Sequence, residues 1–262
     1  MSYVPADADR STSFGAVAAD YDRVRPSPAP EALEWLLPGR RDLVVDVGAG
    51  TGLFSRALAS RGAHVVAVEP DDRMRMVLQQ NSPGVEAVAG SGEAIPLPDA
   101  SADGVFFSSA WHWMDPDKAI PEVARVLRDG GRFGVIWTSR DSESTWVRAD
   151  EWFRDAAPEG DVLRGETPRH GRSARREQSL PTGGEFTNIE TRTFRYTRPM
   201  SPGDFVDWLT TYSRVITAPA DVRERGRARA TAALAERFPG AAVIDVPMRS
   251  RCWRADRVPR AA

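Results

Sequence analysis

Short apolar, β-branched runs recur between residues 43 and 137 and alternate with stretches whose apolar positions repeat at helical spacing. The runs read as buried strands over Leu43–Val47, His64–Val68, Val85–Ala89, Gly104–Ser108 and Arg132–Trp137. The helical stretches fall at Glu31–Leu37, Phe54–Arg61, Arg73–Gln80 and Lys118–Leu127. Pro30 starts the first of these and Pro38-Gly39 ends it; Gly62 closes the second and Gly130-Gly131 follows the last. Strands alternating with helices of this length predict a parallel sheet with right-handed crossovers. Ahead of them, Phe14 to Val24 reads as a short helix broken by Pro26, Pro28 and Pro30.

Beyond Trp137 the alternation stops. A helix is expected over Ser144–Ala156, carrying Trp146, Trp152 and Phe153. Residues 158–180 have no period and hold Arg164, Arg169, His170, Arg172, Arg175 and Arg176, an arginine-rich stretch that reads as a lid ordering on binding. Ile189–Thr197 alternates like a strand, Pro202–Val215 and Ala220–Phe238 look helical, and Val243–Val246 and Arg251–Ala255 look extended.

Charge and composition then exclude classes of function. Thirty-five Lys and Arg stand against 37 Asp and Glu, a formal net charge of -2, which provides no global field for nucleic acid or an anionic membrane. No apolar run approaches the roughly 20 residues of a membrane span, and the polar start up to Arg10 does not read as a signal peptide. With one cysteine, Cys252, no internal disulfide is possible; a cytoplasmic location and a packing role for that thiol are expected. His64, His112 and His170 are scattered without zinc-like spacing, so no metal is expected.

The chemistry centres on Asp46-Val47-Gly48-Ala49-Gly50-Thr51-Gly52, between the first strand and the Phe54–Arg61 helix. In a strand, glycine turn and helix, backbone N–H groups and a helix N-terminus face a ligand. A dinucleotide fingerprint reads Gly-x-Gly-x-x-Gly and makes room for a pyrophosphate. The tighter Gly48-x-Gly50-x-Gly52 spacing, preceded by Asp46, resembles motif I of class I S-adenosylmethionine-dependent methyltransferases. Glu69 closes the second strand where a carboxylate can accept from ribose hydroxyls, a feature NAD enzymes share. The loop Gly90 to Pro98 and the segment Ser108 to Trp113 look like the adenine loop and substrate-side motif of small-molecule methyltransferases. Tyr21-Asp22-Arg23-Val24-Arg25-Pro26 and Arg125 to Gly131 resemble signatures of the trans-aconitate methyltransferase-like, or methyltransferase type 11, group. The resemblance covers about 14–140. It departs at Ser91, where the wider superfamily usually has an acid.

The resemblance implies an α/β fold: a Rossmann-like, seven-stranded, mostly parallel sheet with helices on both faces and an antiparallel last strand. A helical cap would come from the N-terminus and 141–240. It implies one methyltransferase domain over 1–262, with a cofactor core at 14–140, a substrate-side cap at 141–240 and a strand from 241–262 returning to the sheet. S-adenosylmethionine would be the cofactor and S-adenosylhomocysteine the product. Asp46 would hold the glycine loop or the donor's ammonium. Gly48, Ala49, Gly50, Thr51 and Gly52 would lie on the methionyl part, and Glu69 on the ribose. Pro70 and Met74 would flank the adenine, which Ser91, Gly92 and Glu93 would read. Ser109 and Ala110 would lie near the sulfonium, with Tyr21 and Arg25 closing over the cofactor.

Methyl transfer from a sulfonium is an in-line displacement, so the protein mainly aligns the pair and excludes water. His112 is the candidate base, needed only if the nucleophile must lose a proton; its other reading is a hydrogen bond that shapes the pocket. Trp111, Trp113, Trp137 and Trp146 are expected to wall an apolar acceptor. The expected partner is a small molecule, with no nucleic acid or membrane, and the protein a monomer or homodimer. A nucleic-acid or protein methyltransferase, and a non-methylating binding protein or cyclase on the same fold, are the competing readings.

Overall fold

The computed structural model describes residues 22–141, 143, 146, 152–153, 179–216 and 218–260. Most of the helices expected over Phe14–Val24 and Ser144–Ala156, nearly all of 158–180, and Tyr21 therefore lie outside the described residues.

Seven strands form one sheet in the order β3-β2-β1-β4-β5-β7-β6. They are β1 (Val44–Val47), β2 (Val65–Val68), β3 (Glu86–Val88), β4 (Ala102–Ser108), β5 (Leu127–Arg140), β6 (Phe186–Met200) and β7 (Ile244–Arg257). β1 pairs in parallel with β2 and β4, β2 with β3, and β4 with β5, while β7 runs antiparallel. This is the expected Rossmann-like sheet. β1 and β2 are buried at every position, the pattern of central parallel strands covered on both faces.

The sheet is accompanied by α-helices among the described residues. They are α1 (Pro30–Leu36), α2 (Leu53–Ala59), α3 (Asp72–Asn81), α4 (Pro116–Val126), α5 (Pro202–Thr210), α6 (Ser213–Ile216) and α7 (Ala220–Arg237). Asp71 caps α3 by accepting from the Arg73 and Met74 N–H groups, Asp115 caps α4, and Ser201 caps α5.

The chain forms two compact units. The first comprises the described residues of Ser27–Ser139, Arg175–Arg195 and Arg249–Ala262. Its core packs Phe107, Trp111, Phe133 and Trp253 edge to face around β4 and β5, with Phe186 tilted against Phe133. Each fully buried side chain of this size stabilises by about 1.5–3 kcal/mol. Asp103, 4% exposed, ties the edges of β1 and β4 together: it accepts from the Leu43 N–H at 3.0 Å and pairs with Arg128 at 2.5 Å. At the other end of α4, Arg257 and Arg260 donate to the carbonyls of Ala124, Arg125 and Leu127, which places cations on the helix C-terminus.

The second unit comprises the described residues of Met1–Pro26, Arg140–Ala174 and Tyr196–Met248. It has a separate core of Phe205, Trp208, Leu209, Leu234, Val246 and Met248. Arg23 bridges Asp204 and Asp207, and Arg227 also pairs with Asp207.

Several expected boundaries shift. The single helix over Pro202–Val215 is two, α5 and α6, because the Thr211 hydroxyl donates back to the Trp208 carbonyl and ends the first. The two extended pieces at 243–246 and 251–255 are one strand, β7. The region 141–240 is not all cap, since β6 within it belongs to the sheet.

Candidate active site

β1, β2 and β4 run in parallel, and the motif residues lie at their carboxyl ends, where open α/β sheets hold ligands. Beyond β1 the chain enters a turn with positive φ at Gly48, Gly50 and Gly52. A side chain at Gly48 would place its Cβ 2.6 Å from the Ala110 Cβ, so the turn sits directly against the segment after β4. A Cβ at Gly50 would meet nothing within 4 Å. Gly48 is glycine for packing, and Gly50 borders open space.

Four N–H groups of the turn are bonded within the protein. Gly48 and Ala49 both donate to the Val68 carbonyl at 2.9 and 3.2 Å, Gly52 donates to Ala49, and Gly50 donates to Glu69 Oε2 at 2.8 Å. For these four N–H groups the expectation of facing a ligand is corrected: Gly48 and Ala49 bond to the end of β2, Gly50 to the Glu69 side chain, and Gly52 within the turn.

Glu69 is 7% exposed and accepts on both oxygens, from Gly50 N–H and from Asp71 N–H at 2.9 Å. Burial pushes its carboxyl above the usual glutamate range, against the pull of those two donors and of Arg75. Asp46 is fully buried. One oxygen accepts from the Ser55 hydroxyl at 2.6 Å in α2; the other has no partner among the described residues. Burial raises its pKa to about 7, opposed by the Ser55 hydrogen bond and reinforced by the charge of Glu69. With no exposed atom, Asp46 braces the turn through α2 and has no surface to offer an ammonium. Thr51 is also buried, at 1% exposure, and its hydroxyl has no partner among the described residues.

Met74 is buried on α3, while Pro70 is exposed at its approach. Ser91 and Ala94 form an isolated two-residue bridge. Within it Gly92 is buried, because a Cβ there would stand 2.5 Å from the Met114 sulfur. Glu93 Oε1 accepts from the Asp115 N–H at 2.8 Å, which ties this loop to the start of α4. After β4, Ser109 holds φ 55°, a left-handed conformation uncommon outside glycine. A 3₁₀ turn over Trp111–Trp113 follows.

That turn separates the aromatic candidates. Trp111 is 1% exposed and its ring packs on Phe107 and Phe133 at 5.0 and 5.3 Å, so it is core and not a pocket wall, a correction. His112 and Trp113 are partly exposed, with ring centroids 4.6 Å apart. Trp137 is partly exposed near the end of β5, and its buried indole N–H has no partner among the described residues. Trp146 belongs to the second unit, where it packs on Phe205 and Phe238. Arg25 lies in that unit too, donating to Thr211 and stacked 5.0 Å from the Tyr212 ring centre.

Ser55, Asp71 and Met114 were not anticipated from the sequence. Asp71 carried a signal, an acid directly before a helical period; the other two are defined by tertiary contact alone.

A methyltransferase domain family matches residues 45–135. An uncharacterized methyltransferase of Mycobacterium tuberculosis (strain H37Rv) is 42% identical over 217 residues, 83% of each chain. A malonyl-[acyl-carrier protein] O-methyltransferase of Methylococcus capsulatus is 40% identical over 132 residues, 46% of this chain and 48% of the relative. Among solved structures, a protein described as a type II methyltransferase, from Anaeromyxobacter dehalogenans, superposes with a TM-score of 0.65 at 26% identity. That likeness covers 90% of this chain and 99% of the other.

Proposed function

Because the chain belongs to the S-adenosylmethionine-dependent methyltransferases, we propose that it transfers the methyl group of that donor to a small-molecule acceptor. In this reading the methionyl part of the donor lies along Gly48 to Gly52, and the open space at Gly50 is where it passes closest to the backbone. Glu69 receives the ribose hydroxyls. Pro70 and Met74 flank the adenine, with Ser91 to Glu93 along its edge. Ser109 and Ala110 sit beside the sulfonium, and Trp113 and Trp137 border the acceptor.

The observation that carries this reading is the occupied state of the turn's donors. A pyrophosphate is held by free backbone N–H groups, and those of Gly48, Ala49, Gly50 and Gly52 are all bonded within the protein. A donor without phosphate needs only the close approach that Gly50 allows. The small-molecule acceptor is supported by the net charge of -2 and by the pairing of Arg23 and Arg227 with acids, which leave no cationic track for a polynucleotide at those positions.

Catalysis in this site is alignment and exclusion of water. An acceptor carboxylate is ionised at neutral pH and attacks without help; a hydroxyl or amine acceptor would use His112 as base. Isothermal titration with S-adenosylmethionine, S-adenosylhomocysteine and NAD tests the donor. Binding of NAD alone would overturn it. A screen of metabolite acceptors with methyl-labelled donor tests the acceptor class, and label transfer to RNA or protein alone would overturn that part.

A further inference from the structure

Glu69 makes two hydrogen bonds to backbone within the protein. Its Oε2 accepts the Gly50 N–H at 2.8 Å, and its Oε1 accepts the Asp71 N–H at 2.9 Å. The carboxylate thus links the glycine turn after β1 to the cap of α3, across the ends of two neighbouring strands. Each carboxylate oxygen has a second lone pair, so ribose hydroxyls can be accepted without releasing either N–H. Gly50 is also the position where the backbone borders open space.

We propose that Glu69 is a positioning residue as well as a ribose ligand: its bond to the Gly50 N–H sets the glycine turn in its donor-binding shape. The proposal rests on the methyl-donor reading of the site. It separates Glu69 into two functions, only one of which passes through the ribose.

Two probes distinguish them: S-adenosylhomocysteine and its 2′,3′-dideoxy analogue, which has no ribose hydroxyl for Glu69 to hold. Titration calorimetry is done on the wild type, Glu69→Ala and Glu69→Gln. A lost backbone hydrogen bond corresponds to roughly tenfold in affinity. Glu69→Ala is therefore expected to weaken the dideoxy analogue about tenfold, and S-adenosylhomocysteine considerably more. Glu69→Gln retains a carbonyl oxygen for the Gly50 N–H and is expected to recover most of the affinity for the dideoxy analogue. Equal binding of that analogue by wild type and Glu69→Ala would overturn the proposal and leave Glu69 a ribose ligand only. Failure of the wild type to bind S-adenosylhomocysteine would instead overturn the donor reading.

A second measurement needs neither ligand nor the alanine variant. The groups facing Glu69 are Asp71, Arg75 and Asp46. In wild-type protein the Gly50 amide resonance is expected to shift with pH through an inflection above the usual glutamate range; in Glu69→Gln that inflection is expected to vanish. A Gly50 resonance that titrates identically in both proteins, or in neither, would overturn the proposal.

Discussion

Gly48 and Gly50 stand two residues apart in the same turn, both with positive φ, yet substitution should harm them differently. A side chain at Gly48 meets Ala110, whereas at Gly50 it enters empty space. Gly50→Val is expected to cost about 1–2 kcal/mol of stability from the backbone conformation alone and to abolish S-adenosylhomocysteine binding. Gly48→Val adds overpacking of about 1–3 kcal/mol to the same strain. Thermal melts and titration calorimetry on the pair would separate packing from ligand space. Ser109 carries its strain for a different reason, having a side chain in a conformation that suits glycine. Ser109→Gly is expected to raise stability by about 1 kcal/mol while lowering turnover, because the hydroxyl proposed beside the sulfonium is lost.

The buried acids set the pH response. Asp46 and Glu69 both have folded-state pKa values above those of the unfolded chain. The folded protein keeps their protons where the unfolded chain has released them, so stability falls as pH rises from about 4 toward the raised values. For Asp46 the fall runs to about 7, at up to about 1.4 kcal/mol per pH unit. Asp46→Asn is expected to flatten that slope in denaturant titrations between these limits; an unchanged slope would contradict the assignment. Asp103 works in the opposite direction. Burial alone would raise its pKa, but Arg128, the Leu43 N–H and Arg40 outweigh it and lower it, so its contribution is present above the usual aspartate value and lost in acid.

At the scale of elements, the cap of α3 links secondary structure to the site. Asp71→Ala removes the side-chain acceptor for the Arg73 and Met74 N–H groups and is expected to cost about 1 kcal/mol. It leaves the Asp71 backbone N–H on Glu69 in place, so donor affinity should fall less than in Glu69→Ala. Strands and helices from Pro30 to Arg140 were legible to within a few residues because apolar runs and helical periods mark them directly. Where the reading slipped, the cause was a contact the sequence does not display. α3 starts at Asp72, one residue ahead of the expected Arg73, because Asp71 is its cap. Trp111 and Trp113 were both expected in the pocket wall, but the 3₁₀ turn buries Trp111 and leaves Trp113 partly exposed. The glycine turn between β1 and α2 was legible from its spacing. That Gly48 and Ala49 bond to the end of β2, and Gly50 to Glu69, depends on the pairing of β1 with β2 and on a side chain 19 residues away, which no spacing along the chain records.

For the whole molecule, two cores in one chain imply two stabilities. Gly226 on α7 lies directly against the Phe153 ring. Gly226→Leu is expected to destabilise the second unit by roughly 1–3 kcal/mol while the core of β4 and β5 is untouched. Hydrogen exchange should then accelerate first in Pro202–Thr210 and Ala220–Arg237. Uniform acceleration across both cores would show that they unfold as one.

The sheet order also constrains how the chain is assembled as it is made. β7 is seventh in sequence but sits between β5 and β6. While the polypeptide is still being synthesised, β6 emerges and must wait, unpaired, for more than forty residues of chain before the strand that joins it to the sheet exists. During that interval β6 is a free edge, open to pairing with other chains. A protein halted before Ile244 would keep that edge permanently, so premature termination there should yield aggregate in place of a smaller soluble enzyme.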